Sequence, residues 1–275
     1  MSPRPCIIAQ ISDLHIKRPG ALVCDKVDTA AALTRCVAEL NRFRPRPDLV
    51  VISGDLADTP TPEEYEHVLA LLAPLQIPFV AIPGNHDNRE MLRKALPHQL
   101  YARPSGALNL MQAVGDLDVV VIDSSVSGAP HGELDGDTLG WLDAILTGSA
   151  SRPALLFLHH PPFVAGIGHM DANNLHNADA LAAIIRRHRR VRLIAAGHLH
   201  RATASQFAGV TTMICPAPNH AIALDLAGEL PLSFRIEQPA FHLHLWFAGE
   251  DFGRVVTHTV AIGEFERPHP FSSAG

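Results

Sequence analysis

The chain lacks a long apolar run. No segment approaches the ~18 consecutive apolar residues of a membrane span. The apolar stretch within the opening MSPRPCIIAQISDLH is too short for the core of a secretion signal and runs directly into polar residues. The expectation is a soluble, cytoplasmic protein with no membrane contact. Cysteine is scarce: Cys6, Cys24, Cys36 and Cys215 are the only four, and none forms a CxxC pair. That argues against a disulfide framework and agrees with ordinary thiols in a reducing compartment. A basic excess is also missing. The net charge of −6 argues against a duplex nucleic-acid binder, which carries a basic face, but permits a small anionic substrate in a locally positive site. Internal repeats, low-complexity tracts and linkers are absent.

What the chain has is a sizeable core. Its 275 residues are 47% apolar, enough for one large α/β domain, expected here as a single unit over 1–266. Short apolar runs alternate with helical patterns. Strands are expected at Cys6–Ile11, Asp48–Ile52, Ile77–Ile82, Asp118–Ile122, Ala154–Leu158 and Val191–Ala195. Between them, helical spacing covers Thr29–Arg44, stopped by Pro45, and Ala178–His188. Another helix opens on the capping box Thr61-Pro-Glu-Glu64 and reaches about Leu72, and one more runs through Trp141–Leu146. From about Gly209 the runs Gly209–Ile214, Phe241–Phe247 and Arg254–Ile262 make a β-rich ending. The tail over 267–275 has no periodicity and is expected to be loose.

The polar residues cluster where the strands end. Ser12-Asp13-Leu14-His15 follows the first strand, Ser53-Gly54-Asp55 the second, Gly84-Asn85-His86-Asp87 the third, His159-His160 the fifth and Gly197-His198-Leu199-His200 the sixth. In an open α/β sheet, ligands bind beyond the carboxyl ends of the strands. Each exit alone is an ordinary turn, but together they bring Asp, His and Asn to one region. Imidazole and carboxylate without thiolate suit Zn, Fe, Mn or Co. Seven such ligands are too many for one ion but suffice for two, about 4 Å apart with a shared carboxylate, the arrangement used on phosphate esters.

The set Asp13-Leu-His15, Gly54-Asp55, Gly84-Asn-His-Asp87, His159 and Gly197-His198-Leu-His200 resembles the calcineurin-like metallophosphoesterase superfamily, with every element intact. The finer match is to bacterial class III cyclic-nucleotide phosphodiesterases and glycerophosphodiesterases, through the stretches around ISDLH, VISGD, IPGNHD, HHPP and GHLH and the later Ala217-Pro-Asn-His220. The resemblance implies a four-layer α/β/β/α sandwich of two mixed sheets flanked by helices. It also implies two divalent metal ions, Mn, Fe, Zn or Co. Asp13, His15 and His200 would hold the first ion, Asn85, His159 and His198 the second, and Asp55 would bridge them. His160 would stand behind His159. His86 would meet the substrate and give a proton to the leaving group, Asp87 would orient His86 by accepting its other N–H, and His220 would contact the phosphate or the leaving group. The activity implied is hydrolysis of small phosphodiesters by an activated water. Cyclic nucleotides such as cAMP and glycerophosphodiesters are both candidates, and association into a homodimer through the β-rich ending is implied as well.

Other histidines weigh less. His242 and His244 alternate in Phe-His-Leu-His-Leu-Trp and read as the polar face of an edge strand or a subunit contact. His169 lies in the Gly- and Asn-rich stretch 166–177, which has the composition of a lid. Among rival readings, the protein Ser/Thr phosphatases extend the second block to GDxVDRG. Here Gly54-Asp-Leu-Ala-Asp-Thr59 lacks that Arg. A phosphomonoesterase acting on nucleotides is the alternative enzyme. A scaffold that lost its chemistry would be expected to lack ligands, and none is missing.

Overall fold

The computed structural model of the protein describes residues 4–149, 151–266 and 268–271. Of the tail expected to be loose, residues 267 and 272–275 lie outside the described residues, and 268–271 form no helix or strand.

The chain runs β1 (Cys6–Ile11), α1 (Thr29–Arg42), β2 (Leu49–Ser53), α2 (Pro62–Leu72), β3 (Phe79–Ile82), α3 (Arg89–Ala95), β4 (Leu110–Val114), β5 (Leu117–Ile122), α4 (Gly136–Gly148) and β6 (Ala154–Leu158). It continues through α5 (Gly168–Asp171), α6 (Ala178–Ile185), β7 (Val191–Ala196), β8 (Thr203–Phe207), β9 (Val210–Ile214), β10 (Ala221–Ile222), β11 (Phe234–Arg235), β12 (Ala240–Phe247) and β13 (Arg254–Ala261). Helix starts obey local chemistry. Asp28, Thr61, Asn88 and Asp135 each accept a hydrogen bond from a backbone N–H three residues on. The Thr61 box is only half reciprocal: the Glu64 carboxylate accepts from the Thr59 N–H instead of returning to Thr61.

Strands covered on both faces need apolar side chains at every position, and β2, β5 and β6 are buried throughout. One sheet has the order β13-β12-β1-β2-β3, the other β4-β5-β6-β7-β9-β8. Both are mixed: β1, β2 and β3 are parallel, as are β5, β6, β7 and β9, with antiparallel strands at their margins. Period-2 alternation divides the side chains into three cores. Ile7, Ala9, Val50 and Ile52 pack with α1 and α2. Val120, Leu156 and Ile194 pack with α4 and α6. Ile8, Val51, Val121 and Phe157 meet between the sheets. The layers are therefore α/β/β/α, as the resemblance implied.

Residues from 209 onward complete both sheets, with β9 in the second and β12 and β13 in the first. The edge-strand reading of His242 and His244 is corrected here. β12 lies inside its sheet between β13 and β1, and both histidines are fully buried. Position-2 alternation placed them on one face correctly, but that face is turned to the second sheet. There the His244 Nε2–H donates to Gln10 Oε1 at 3.1 Å and its Nδ1 accepts from the Thr257 hydroxyl at 2.8 Å. Among the described residues no helix is long and apolar enough to cross a membrane.

Candidate metal centre

The strand exits β1, β2, β3, β6 and β7 open on one side of the two sheets, and the loops leaving them are tied together by backbone hydrogen bonds. The Asp13 and His15 N–H groups donate to the Gly54 and Asp55 carbonyls at 3.0 and 2.9 Å, and the Gly197 N–H donates to the His159 carbonyl at 2.9 Å. Asp13, His15, Asp55, His198 and His200 all adopt left-handed backbone, with φ of 58°, 47°, 52°, 73° and 55°. Non-glycine residues enter that region at a cost. The surrounding hydrogen bonds hold them there and turn five side chains inward. Gly84 lies so close to Asp55 that a Cβ on it would collide with the Asp55 carboxylate.

Two clusters result. In the first, His15 Nε2 and His200 Nε2 stand 3.2 Å apart, with Asp13 Oδ1 3.6 Å from His200 Nε2 and Asp55 Oδ2 3.5 Å from His15 Nε2. In the second, Asn85 Oδ1 lies 3.1 Å from His159 Nε2 and 3.0 Å from His198 Nδ1. Asp55 Oδ2 is 3.4 Å from His159 Nε2, so this one carboxylate oxygen touches both clusters. Asp13, His15, Asp55, His159, His198 and His200 are buried; Asn85 is half-buried at the rim.

The outer nitrogens show which atoms are free to ligate. The His200 Nδ1–H donates to the His220 carbonyl at 3.2 Å and the His159 Nδ1–H to the Ser53 carbonyl at 2.9 Å. His15 Nδ1 lies 3.3 Å from the Asp58 carboxylate, which Lys17 grips at 2.6 Å. With the outer nitrogens of His159 and His200 engaged and that of His15 set beside a carboxylate, the Nε2 atoms face inward, and facing lone pairs repel unless a cation lies between them. Burial lowers the pKa of His15, but Asp58, Asp55 and Asp13 outweigh it and hold the group above the ordinary imidazole value. Burial and the neighbouring His15 push His200 well below that value. One proton between the two nitrogens satisfies both, and a metal ion held there would displace it. Likewise burial lowers His159, while Asp55 overrides it and raises the group to about 9. Burial, with His159, lowers His198 to about 3. Burial raises Asp13. It raises Asp55 too, but the surrounding imidazoles more than offset this and keep that carboxylate well below its usual range. The donor set, imidazoles with two carboxylates and one amide oxygen, therefore fits two divalent ions sharing Asp55.

Of the other residues expected here, His86 stands at the mouth. Its ring is 4.7 Å from that of His15, its backbone N–H donates to Asp55 Oδ1 at 2.9 Å, and its Nδ1–H donates to the Asp58 carbonyl at 2.9 Å. The role expected of Asp87 is corrected. Its carboxylate does not meet His86; it accepts from the N–H groups of Leu56, Ala57 and Gly84 at 3.0, 3.1 and 3.0 Å and from the Tyr65 hydroxyl at 3.0 Å. The reason is the turn at Gly84, which points residue 87 back under the β2 exit while His86 faces out. His220 is buried with its ring 4.6 Å from that of His200, and its Nδ1 has no partner. His160 is fully buried behind the second cluster, with Nδ1 2.9 Å from Ser124 Oγ. His169 leans on the Leu230 carbonyl at 3.2 Å. The 166–177 stretch is knotted in place: Asp171 accepts from Ala165 and Gly166, and the His176 N–H donates to Gly132.

Several contributors went unread in the sequence. Asp58 and Lys17 steady His15, and Asn219 donates to the Asp13 and Leu14 carbonyls at 2.9 and 3.1 Å. The exit of β5, passed over because it carries no imidazole, walls a cleft of about 610 Å³ with Ser125–Pro130 opposite Asn85, His86 and Asn88. The sequence did hold a signal for Asp58, a carboxylate three residues after Asp55.

A two-sheet α/β sandwich with a pair of carboxylate-linked histidine clusters at its strand ends defines a metal-dependent phosphoesterase architecture. The chain belongs to the calcineurin-like phosphoesterase family, whose model matches residues 7–202. It is 37% identical over 96% of both chains to a protein of Arcobacter nitrofigilis named a probable glycerophosphodiester phosphodiesterase. It is also 33% identical, over 72% of both chains, to a 3',5'-cyclic-nucleotide phosphodiesterase of Nostoc sp.. A dimetal phosphatase from Danio rerio has the same fold, with a TM-score of 0.64 at 16% identity over 95% of this chain and 100% of that one.

Proposed function

We propose that the chain is a hydrolase of small phosphodiesters working at a two-metal centre. Asp13, His15 and His200 hold one ion, Asn85, His159 and His198 the other, and Asp55 joins them. The observation that carries this reading is that one Asp55 oxygen meets Nε2 of both His15 and His159, with His200 Nε2 facing the first and His198 Nδ1 sharing Asn85 Oδ1 with the second. Bound there, Mn²⁺, Fe²⁺, Zn²⁺ or Co²⁺ ions would neutralise the phosphodiester anion and acidify a water. The protein's own part is positional. The buried loops keep bulk water from the ligands, and the cleft orients the alcohol portion of the substrate. His86 donates its Nδ1–H to the Asp58 carbonyl, which leaves Nε2 facing the cleft; in the doubly protonated ring the Nε2–H would pass to the departing alkoxide and leave a neutral imidazole. His220 approaches the phosphate from the side of His200.

The relatives' names divide between two substrate classes, glycerophosphodiesters and cyclic nucleotides. The cleft supports the first. Apart from His86 and Arg89 its described lining is small, polar or acidic, with no Phe, Tyr or Trp to stack on a base. A cytoplasmic setting fits four unpaired thiols. A homodimer through the open edge of β13 completes the reading, and sedimentation velocity tests it. The experiment for the activity is kcat/KM of Mn²⁺-reconstituted protein on glycerophosphocholine and 3',5'-cyclic AMP, beside a metal-free control. Preference for glycerophosphocholine is expected. Preference for the nucleotide overturns the substrate assignment, and no metal-dependent turnover of either overturns the activity.

A further inference from the structure

Two ring nitrogens in the core behind the second cluster have no partner: Nε2 of His160 and Nε2 of His198. Both belong to buried side chains. The two rings are 4.9 Å apart at 51°, and one ring nitrogen from each of His159, His160 and His198 lies within 4.8 Å of the others. Leaving a buried N–H or lone pair without a partner is destabilising, so a native core should not leave two of them side by side.

A neutral imidazole carries one N–H and one lone pair. His198 turns Nδ1 towards Asn85 Oδ1, where the lone pair serves the second ion. Its proton must then sit on Nε2, which makes that orphan a donor. His160 turns Nδ1 to Ser124 Oγ at 2.9 Å. If that nitrogen carries the proton, Nε2 of His160 is an acceptor. Donor and acceptor then match. The opposite tautomer of His160 would set two N–H groups against each other. We propose that His160 is a positioning residue of the second metal: its Nε2 accepts the Nε2–H of His198, directly or through one buried water, and so locks His198 in the tautomer that presents Nδ1. The inference rests on the two-metal reading above.

The seat of the ring supports a fixed role. Ser124 Oγ also accepts the His160 backbone N–H at 3.2 Å. Gly132 packs against the other side so closely that a Cβ on it would stand 2.5 Å from His160 Cγ. Ser124 and Gly132 bracket the Ser125–Pro130 wall of the cleft. The same ring therefore sits between the residues that flank that wall and the histidine that would receive metal. Second-layer partners of this kind typically contribute 10–100-fold to metal affinity.

The test compares wild-type protein with His160→Phe, which keeps a ring without nitrogens, and His160→Gln, which restores an acceptor. Metal per chain is counted by mass spectrometry, and Mn²⁺ and Zn²⁺ affinities are taken from chelator competition. The His198 tautomer in the Zn²⁺-loaded wild type is read from long-range ¹H–¹⁵N correlation. Expected are two metals per wild-type chain, a 10–100-fold loss at one site only in His160→Phe, partial recovery in His160→Gln, and a proton on His198 Nε2. Equal affinities in all three proteins overturn the role of His160 while the metal centre stands, and so does a proton on His198 Nδ1. Fewer than two metals on the wild type removes the centre itself. The tautomer measurement needs no variant, so a misfolded substitution does not shield the proposal.

Discussion

Asp87 offers the sharpest separation of a structural from a chemical role. Replacing it with Ala removes one carboxylate that gathers four donors: the N–H groups of Leu56, Ala57 and Gly84, each within 3.1 Å, and the Tyr65 hydroxyl at 3.0 Å. A hydrogen bond to a charged group contributes about 1.5–3 kcal/mol net. Part of that is already offset, because burial and the nearby Asp55 push the Asp87 carboxyl up to about 6. Water entering the vacated space recovers some of the rest. The expected loss is about 3–5 kcal/mol. At roughly 2–4 °C per kcal/mol for a domain of this size, Tm falls by about 6–20 °C. Differential scanning calorimetry measures it, with Asp87→Asn as the companion that keeps one acceptor oxygen and falls less. The β2 and β3 exits are what Asp87 joins, so metal affinity should weaken along with stability. A variant with Tm within about 2 °C of wild type but a collapsed kcat would refute this reasoning and return Asp87 to the task of orienting His86.

Three further outcomes follow from the geometry. His86→Ala should lower kcat by roughly 10²–10⁴ while both metals stay bound; loss of metal together with activity would make His86 a ligand. Gly84→Ala drives a methyl group into the Asp55 carboxylate, so metal content measured after dialysis should drop below that of wild type even if the fold survives; full retention would sink the bridging role of Asp55. Burial, helped by the Asp48 charge, pushes the Cys6 thiol from 9.0 up to about 12. At pH 8 its thiolate is therefore about 10³-fold scarcer than that of an ordinary thiol, and alkylation should rise tenfold per pH unit towards 12. Peptide mass spectrometry should find the exposed Cys24 modified long before Cys6, and comparable rates would contradict the burial.

The sequence alone determined the alternation of strands and helices, because β2, β5 and β6 are buried on both faces and so appear as nearly continuous apolar runs, broken only by Ser53 and Asp118. It also determined which side chains stand at the strand ends, since Asp13, Asp55, Asn85, His159 and His198 each follow such a run within three residues. The exposed strands β4 and β8 went unread, as did the seven-residue α3, because their side chains face solvent and carry little apolar period. Tertiary structure alone decided the rest. The left-handed turns at Asp13, His15, Asp55, His198 and His200 have no local signature; they persist because hydrogen bonds from loops distant in the chain over-determine them. His242 and His244 look like a polar strand face until a second sheet closes over them. Asp87 sits beside His86 in the chain, yet the Gly84 turn sends the two side chains to different partners. Neighbourhood along the chain sets which residues arrive together; the direction each points is settled by packing among segments the chain brings from far apart.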